Sequence, residues 1–112
     1  MAEIIYKTIS MTVSATTTSE ETWSPEAKYT IKNLMVNERS GTSLNNVHLQ
    51  ILIAGTPIMR DSIPLANVGD TINKALPIER TVPSGTEVRF KVTNNLSSAV
   101  TIDLVLVLEK AG

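Results

Sequence analysis

The chain has 112 residues, of which 42% are hydrophobic and 19% charged, and its formal net charge is −1. A chain of this length builds one core, so we expect residues 1–112 to form a single domain. The near-neutral charge and the scattered lysines and arginines argue against a nucleic-acid partner. The chain has no cysteine, which excludes disulfides, thiolate metal sites and cysteine nucleophiles.

Alternation of apolar with polar residues predicts β-strands along most of the chain. The expected strands are, in chain order, 3–15, 27–36, 47–54, 58–62, 76–82, 87–93 and 99–109. In the second of these, Tyr29, Ile31 and Met35 are expected to share the core face. A polar loop is expected over 16–25, and 64–75 fits a loop, a short strand or one helical turn.

The chain shows no amphipathic helix and no apolar run near the roughly 18 residues of a membrane span. Strands this long and apolar on one face favour two sheets packed against each other. The predicted fold class is therefore all-β: a two-sheet antiparallel β-sandwich, a single jelly roll of seven or eight strands. The structure of 64–75 decides between seven strands and eight, and so between an immunoglobulin-like sandwich and a jelly roll.

Some apolar residues fall on strand faces that should meet water. They are Ile4, Tyr6, Leu52, Val105 and Val107. In a jelly roll the first, third and last strands share a sheet, so these residues would form one patch on the outside of that sheet. Such a patch indicates an interface between subunits. The alternatives are that a loop covers the patch, or that the residues are scattered surface apolars.

The residues that carry chemistry are few and do not form a pattern. The single histidine, His48, has no nucleophile motif near it in the sequence. Glu20, Glu21 and Glu26 lie in one loop but match no calcium-loop pattern, so a solvated acidic loop is the expected state. No glycine-rich phosphate loop is present. We therefore expect neither an enzyme nor a bound cofactor or metal.

Trp23 is the one tryptophan, and it is expected in the loop before the second strand. It is either a platform for a ligand, or a cap on the open end of the sandwich or a contact with a neighbouring subunit. The first reading gives an alternative function, a carbohydrate- or ligand-binding module of the adhesin type, secreted or at a cell surface, with a glycan as partner.

Two segments resemble parts of known proteins: TVPSGTEVRFKVTNNLSSAVTIDLVLVLEK at 81–110 and VHLQILIAGTPIMRDSIPL at 47–65. They are similar in pattern to the strands of small jelly rolls in viral capsid, vertex and turret proteins. The resemblance implies a structural assembly protein of the virion that forms closed homo-oligomers and contacts other virion proteins. It carries no functional residue over. The chain lacks a basic N-terminal arm, so a minor, vertex or decoration role fits better than a genome-contacting shell.

Overall fold

The computed structural model describes residues 4–39, 43–58, 62–69 and 75–111. The strands are β1 (Ile4–Val13), β2 (Thr18–Trp23), β3 (Tyr29–Glu38), β4 (Val47–Ile53), β5 (Thr56–Pro57), β6 (Ile63–Pro64), β7 (Leu76–Val82), β8 (Val88–Asn94) and β9 (Val100–Lys110). A single 3-10 turn, Leu65–Asn67, follows β6. Within the described ranges there is no α-helix, so the prediction of an all-β fold is confirmed.

The strands form two antiparallel sheets. The first sheet has the order β1-β9-β3-β7, and the second has the order β2-β8-β4-β5, with β6 also paired to β4. The chain thus starts and ends in neighbouring strands of the first sheet. The prediction of a two-sheet antiparallel β-sandwich is confirmed.

The core lies between the sheets, because alternate residues of every long strand face inwards. On β9 the inward side chains of Ile102, Leu104, Leu106 and Leu108 are at most 1% exposed, and Phe90 on β8 is fully buried. Burying one such side chain contributes about 1.5–3 kcal/mol.

One long strand lies where the sequence predicts a loop. It is β2, which occupies most of the 16–25 stretch that was expected to be a loop. β2 is an edge strand with no fully buried side chain, so its residues lack the apolar alternation that reveals a strand. The uncertain stretch 64–75 contributes the end of β6 and the 3-10 turn, and residues 70–74 lie outside the described residues.

Of the strand expected at 58–62, Ile58 and Ser62 are described and are not in a strand. Two short strands, Thr56–Pro57 and Ile63–Pro64, lie on either side of this stretch and pair with β4. Residues 59–61 lie outside the described residues. The proline at the end of each of these strands has no N–H to donate to a sheet, which is consistent with their shortness.

A β-bulge in β3 reverses which sheet face the side chains of its second half point to. Ile31 and Asn33 pair with consecutive residues of β9, so Lys32 is an extra residue in the ladder. Beyond the bulge, Leu34 is fully buried and Met35 is only partly buried. The prediction that Met35 faces the core is therefore wrong, because one inserted residue moves every later side chain to the other face.

The neighbouring strand β7 is irregular at the same place. The β3–β7 register also shifts next to Lys32, and Glu79 has a positive φ of 54°. The Lys32 ammonium lies 2.9 Å from the Glu79 carboxylate. The two irregular positions are thus joined by an ion pair on the surface.

Candidate assembly surface

Apolar side chains collect on the outer face of the first sheet, at the end where β1 begins and β9 ends. We call this the outer patch; it consists of Ile4, Tyr6, Met35, Val105 and Val107. Tyr6 pairs with Val107 across β1 and β9, and Met35 pairs with Val105 across β3 and β9. The structure thus brings together four of the five predicted interface residues. Met35 was missed, because no feature of the sequence revealed the bulge that turns it outwards.

Exposure within the outer patch rises from the middle of the sheet towards its edge. Val107 is 5% exposed although it is outside the core, and Val105 and Met35 are partly buried. On the edge strand β1, Ile4 is 47% and Tyr6 is 62% exposed. These are the only exposed large hydrophobic residues in the part of the chain that the structure describes. The apolar surface that lacks a cover is therefore concentrated on β1.

Leu52 does not belong to this patch, and that part of the prediction is wrong. It lies on β4 in the second sheet, where it pairs with Arg89 on one side and Pro57 on the other. The error follows from β2. The sequence predicts a loop at that position, which makes the strand at 47–54 the third strand instead of the fourth. In the observed order the fourth strand is in the opposite sheet.

The other end of the same outer face is polar and closely bonded. Arg39 donates from Nε to Asp103 Oδ2 at 3.0 Å and from Nη2 to Oδ1 at 2.7 Å. Ser10 Oγ donates to Asp103 Oδ1 at 2.7 Å, and Asn37 Nδ2 to Oδ2 at 3.3 Å. These hydrogen bonds, Arg39 first and Ser10 second, hold the pKa of the Asp103 carboxyl well below its usual range. The carboxylate is saturated by partners within the protein.

The outer face of the second sheet is mainly polar, with Leu52 and Pro57 as apolar exceptions. Gln50 lies beside Lys91, which in turn pairs with Glu20 on the edge strand. His48 points outwards between Thr93 and Pro64. This face therefore differs from the first sheet's outer face, which has an apolar end.

Trp23 lies at the end of β2, and the expectation of a loop position is wrong. Its ring stacks on Tyr29, with centroids 6.2 Å apart and planes at 30°, and it packs against the core. The Tyr29 hydroxyl donates to Glu26 Oε1 at 2.8 Å. Trp23 thus covers one end of the sandwich, which is one of the roles considered for it.

The acidic residues around Trp23 do not converge on a common point. Glu20 and Glu21 are consecutive on β2 and so point to opposite faces, and Glu26 bonds to Tyr29. In the described ranges no group of three potential metal ligands occurs. No described helix is long and apolar enough to cross a membrane.

An apolar groove of about 240 Å³ opens beside β7, between the edges of the two sheets. It is lined by Ile58, Ile63, Leu76, Pro77, Ile78 and Arg80. The sequence did not reveal it, because its walls come from two separate strands, β6 and β7, and from Ile58 in a loop. Its one charged side chain, Arg80, is at the rim and exposed.

The fold and this surface define a β-sandwich with one apolar outer corner. Comparison with protein-family models, with curated proteins and with solved structures finds no match.

Proposed function

We propose that this chain is a non-catalytic structural subunit that assembles into closed homo-oligomers through the outer patch. We further propose that it serves in a virion, as a capsid, vertex or decoration protein alongside other virion proteins. The observation that carries the proposal is the pair Ile4 and Tyr6, which are large, apolar and exposed on a sheet face that is otherwise partly buried or polar.

Ile4 and Tyr6 indicate an interface because leaving two large apolar side chains in water is unfavourable. Apolar surface removed from water contributes about 25 cal/mol per Å², so two large exposed side chains forgo a substantial stabilisation unless a partner covers them. The patch is continuous with Val105 and Met35, so a partner would meet an apolar surface several residues wide. A closed symmetric oligomer covers the same patch on every subunit.

The jelly-roll and virion parts of the proposal are supported by strand order together with the resemblance described above. Successive long strands alternate between the sheets: β1, β3, β7 and β9 lie in the first, and β2, β4 and β8 in the second. A jelly roll is built from two sheets connected in this back-and-forth way. The non-catalytic part rests on the sequence, in which the residues that carry chemistry form no catalytic pattern.

The test is the solution mass of the purified chain, measured by light scattering after size exclusion. We expect a closed oligomer for the unmodified chain, and a monomer for Tyr6→Ser or Ile4→Ser with an unchanged circular dichroism spectrum. Loss of one well-buried interface side chain weakens association by roughly tenfold or more. Val107 is unsuitable for this test, because it is already buried in the subunit.

Leu52→Ser is the matched control, since it makes the same kind of apolar-to-polar change on the opposite sheet. We expect it to leave the mass unchanged. The proposal fails if the unmodified chain is a monomer at every concentration, or if Tyr6→Ser and Leu52→Ser assemble equally well.

A further inference from the structure

In the described ranges the two sheets have four edges, and the strands at three of these edges carry features that prevent pairing with another chain. β7 contains Pro77 and the irregular position Glu79, and β5 is two residues long and ends in Pro57. β2 is short and carries Glu20 and Glu21 side by side. Proline, irregular backbone, shortness and charge are the usual means by which proteins protect sheet edges.

The fourth edge, β1, is long and regular. Its ten residues pair with β9 in unbroken register, without a proline, a glycine or a bulge. Within the described part of the chain, the backbone hydrogen bonds of Ile4–Thr12 go to β9 alone. One side of β1 therefore presents a row of N–H and C=O groups that a further strand fits.

The same strand carries the exposed end of the outer patch. If a partner lay flat on the sheet, the most exposed apolar residues would be near its middle, on β9 and β3. They are instead Ile4 and Tyr6, on the outermost strand. The exposure gradient thus points to a partner that approaches from beside β1.

We propose that this partner is a second copy of the chain, whose β1 pairs antiparallel with β1 about a two-fold axis beside Tyr6. The inference rests on the proposed function and names the contact by which the subunits associate. A two-fold contact is self-complementary, so one exposed strand edge satisfies the other. The first sheets of the two copies then form one continuous sheet of eight strands.

Lys7, the single charged residue of β1, restricts the register of this pairing. An axis at Lys7 would place two ammonium groups directly opposite each other, which is unfavourable. An axis at Tyr6 places the two Tyr6 rings together, with Ile4 of each copy diagonal to them and Lys7 opposite Ile5 on the other face. The Lys7 side chain is on the side of the sheet where Glu26 lies. The pKa of Glu26 is lowered mainly by a backbone hydrogen bond and the Tyr29 hydroxyl, and to a smaller extent by Lys7.

Single-cysteine variants test this register, because the chain has no thiol of its own. Directly opposed residues on antiparallel strands have Cα atoms about 4.5–5.5 Å apart, within the range that a disulfide spans. We expect Tyr6→Cys to give mostly a covalent dimer on a non-reducing gel after mild oxidation. Thr12→Cys, on the same face of the same strand, is the control and stays monomeric, since the proposed register separates the two thiols by about 40 Å.

Hydrogen exchange of the unmodified chain is the second measurement, in case Tyr6→Cys weakens association. Edge amides within Ile4–Thr8 should exchange at least tenfold more slowly in concentrated than in dilute protein, and those within Ile9–Val13 should change less. If the chain is an oligomer but these amides do not change, or if Thr12→Cys cross-links as readily as Tyr6→Cys, this inference is overturned and the proposed function stands. If the chain is a monomer throughout, both fail.

Discussion

Asn94, at the end of β8, is a polar side chain that folding removes completely from water. Its Nδ2 donates to the backbone oxygens of Val13, Ser14 and Ser98 at 3.1, 3.3 and 2.9 Å, and its Oδ1 accepts from the Leu96 N–H at 2.9 Å. The side chain therefore joins the end of β1 in the first sheet to the β8–β9 turn. In the sequence, Asn94 was only part of a polar hairpin connection.

We expect Asn94→Ala to lower the free energy of unfolding by about 2–3 kcal/mol, because it leaves buried carbonyl groups without a donor. Urea unfolding followed by circular dichroism measures this. Asn95→Ala is the control: its side chain is exposed, and its stability should stay within about 0.5 kcal/mol of the unmodified chain. Equal effects of the two substitutions would contradict the structural role of Asn94.

Asp103 makes stability depend on pH in the acid range. Its folded-state pKa is lowered by Arg39 and then by Ser10, whereas an unfolded aspartate has a pKa of about 3.9. A lowered pKa means that the unfolded chain binds the proton first. The stabilisation is therefore complete above about pH 5 and is lost as the pH falls below about 4.

Asp103→Asn removes the carboxylate and tests this contribution. We expect the variant to unfold at lower urea concentration than the unmodified chain at pH 7, and the difference to shrink between about pH 4 and pH 2. The comparison of urea midpoints across that range measures the effect. A gap between the two proteins that stays constant from pH 7 to pH 2 would show that the carboxylate charge is not its source.

At the scale of the element, β3 is shaped by the insertion of a single residue. Lys32 is an extra residue with respect to β9, and this insertion determines which sheet face each later side chain of the strand points to. Leu34 and Val36 are buried as a result. Lys32 itself is partly exposed and bonds to Glu79, so its position in the chain is more important than its side chain.

We expect deletion of Lys32 to keep a cooperative unfolding transition, because Ile31 and Asn33 already pair with consecutive residues of β9, so the shortened strand keeps Leu34 and Val36 on the core face. Lys32→Ala keeps the residue count and should leave stability nearly unchanged, since exposed ion pairs contribute little. Thermal or urea unfolding measures both variants. Loss of the cooperative transition in the deletion variant would contradict this expectation, since it would mean that Leu34 and Val36 no longer face the core.

The strand β2, which the sequence did not predict, illustrates a limit of sequence patterns at this scale. A strand is recognised by alternate apolar residues, and these are present only where one face is buried. Thr18–Trp23 is an edge strand whose side chains are exposed or partly buried. Its hydrogen bonds to β8 hold it in place. Because backbone hydrogen bonds require no particular side chains, they produce no recognisable sequence pattern.

At the scale of the whole molecule, the pairing of β1 with β9 joins the two ends of the chain. This contact brings Ile4 and Tyr6 next to Val107 and Val105, across about a hundred residues of sequence. The assembly predictions belong here, because the outer patch exists only after the ends have paired. Light scattering tests the patch, and cysteine cross-linking tests the edge beside it.

The sequence by itself determined the all-β class, the absence of thiol chemistry, and the alternation of apolar with polar residues along most of the strands. It could do so because burial of one face imposes a period of two on the residues themselves. It also identified four residues of the outer patch as apolar where water was expected. Tertiary structure alone decided that Leu52 lies on the opposite sheet, that Met35 faces outwards, that Trp23 covers an end, and that Asn94 is buried. Those outcomes depend on strand order and on one bulge, which are set by contacts between residues far apart in the chain.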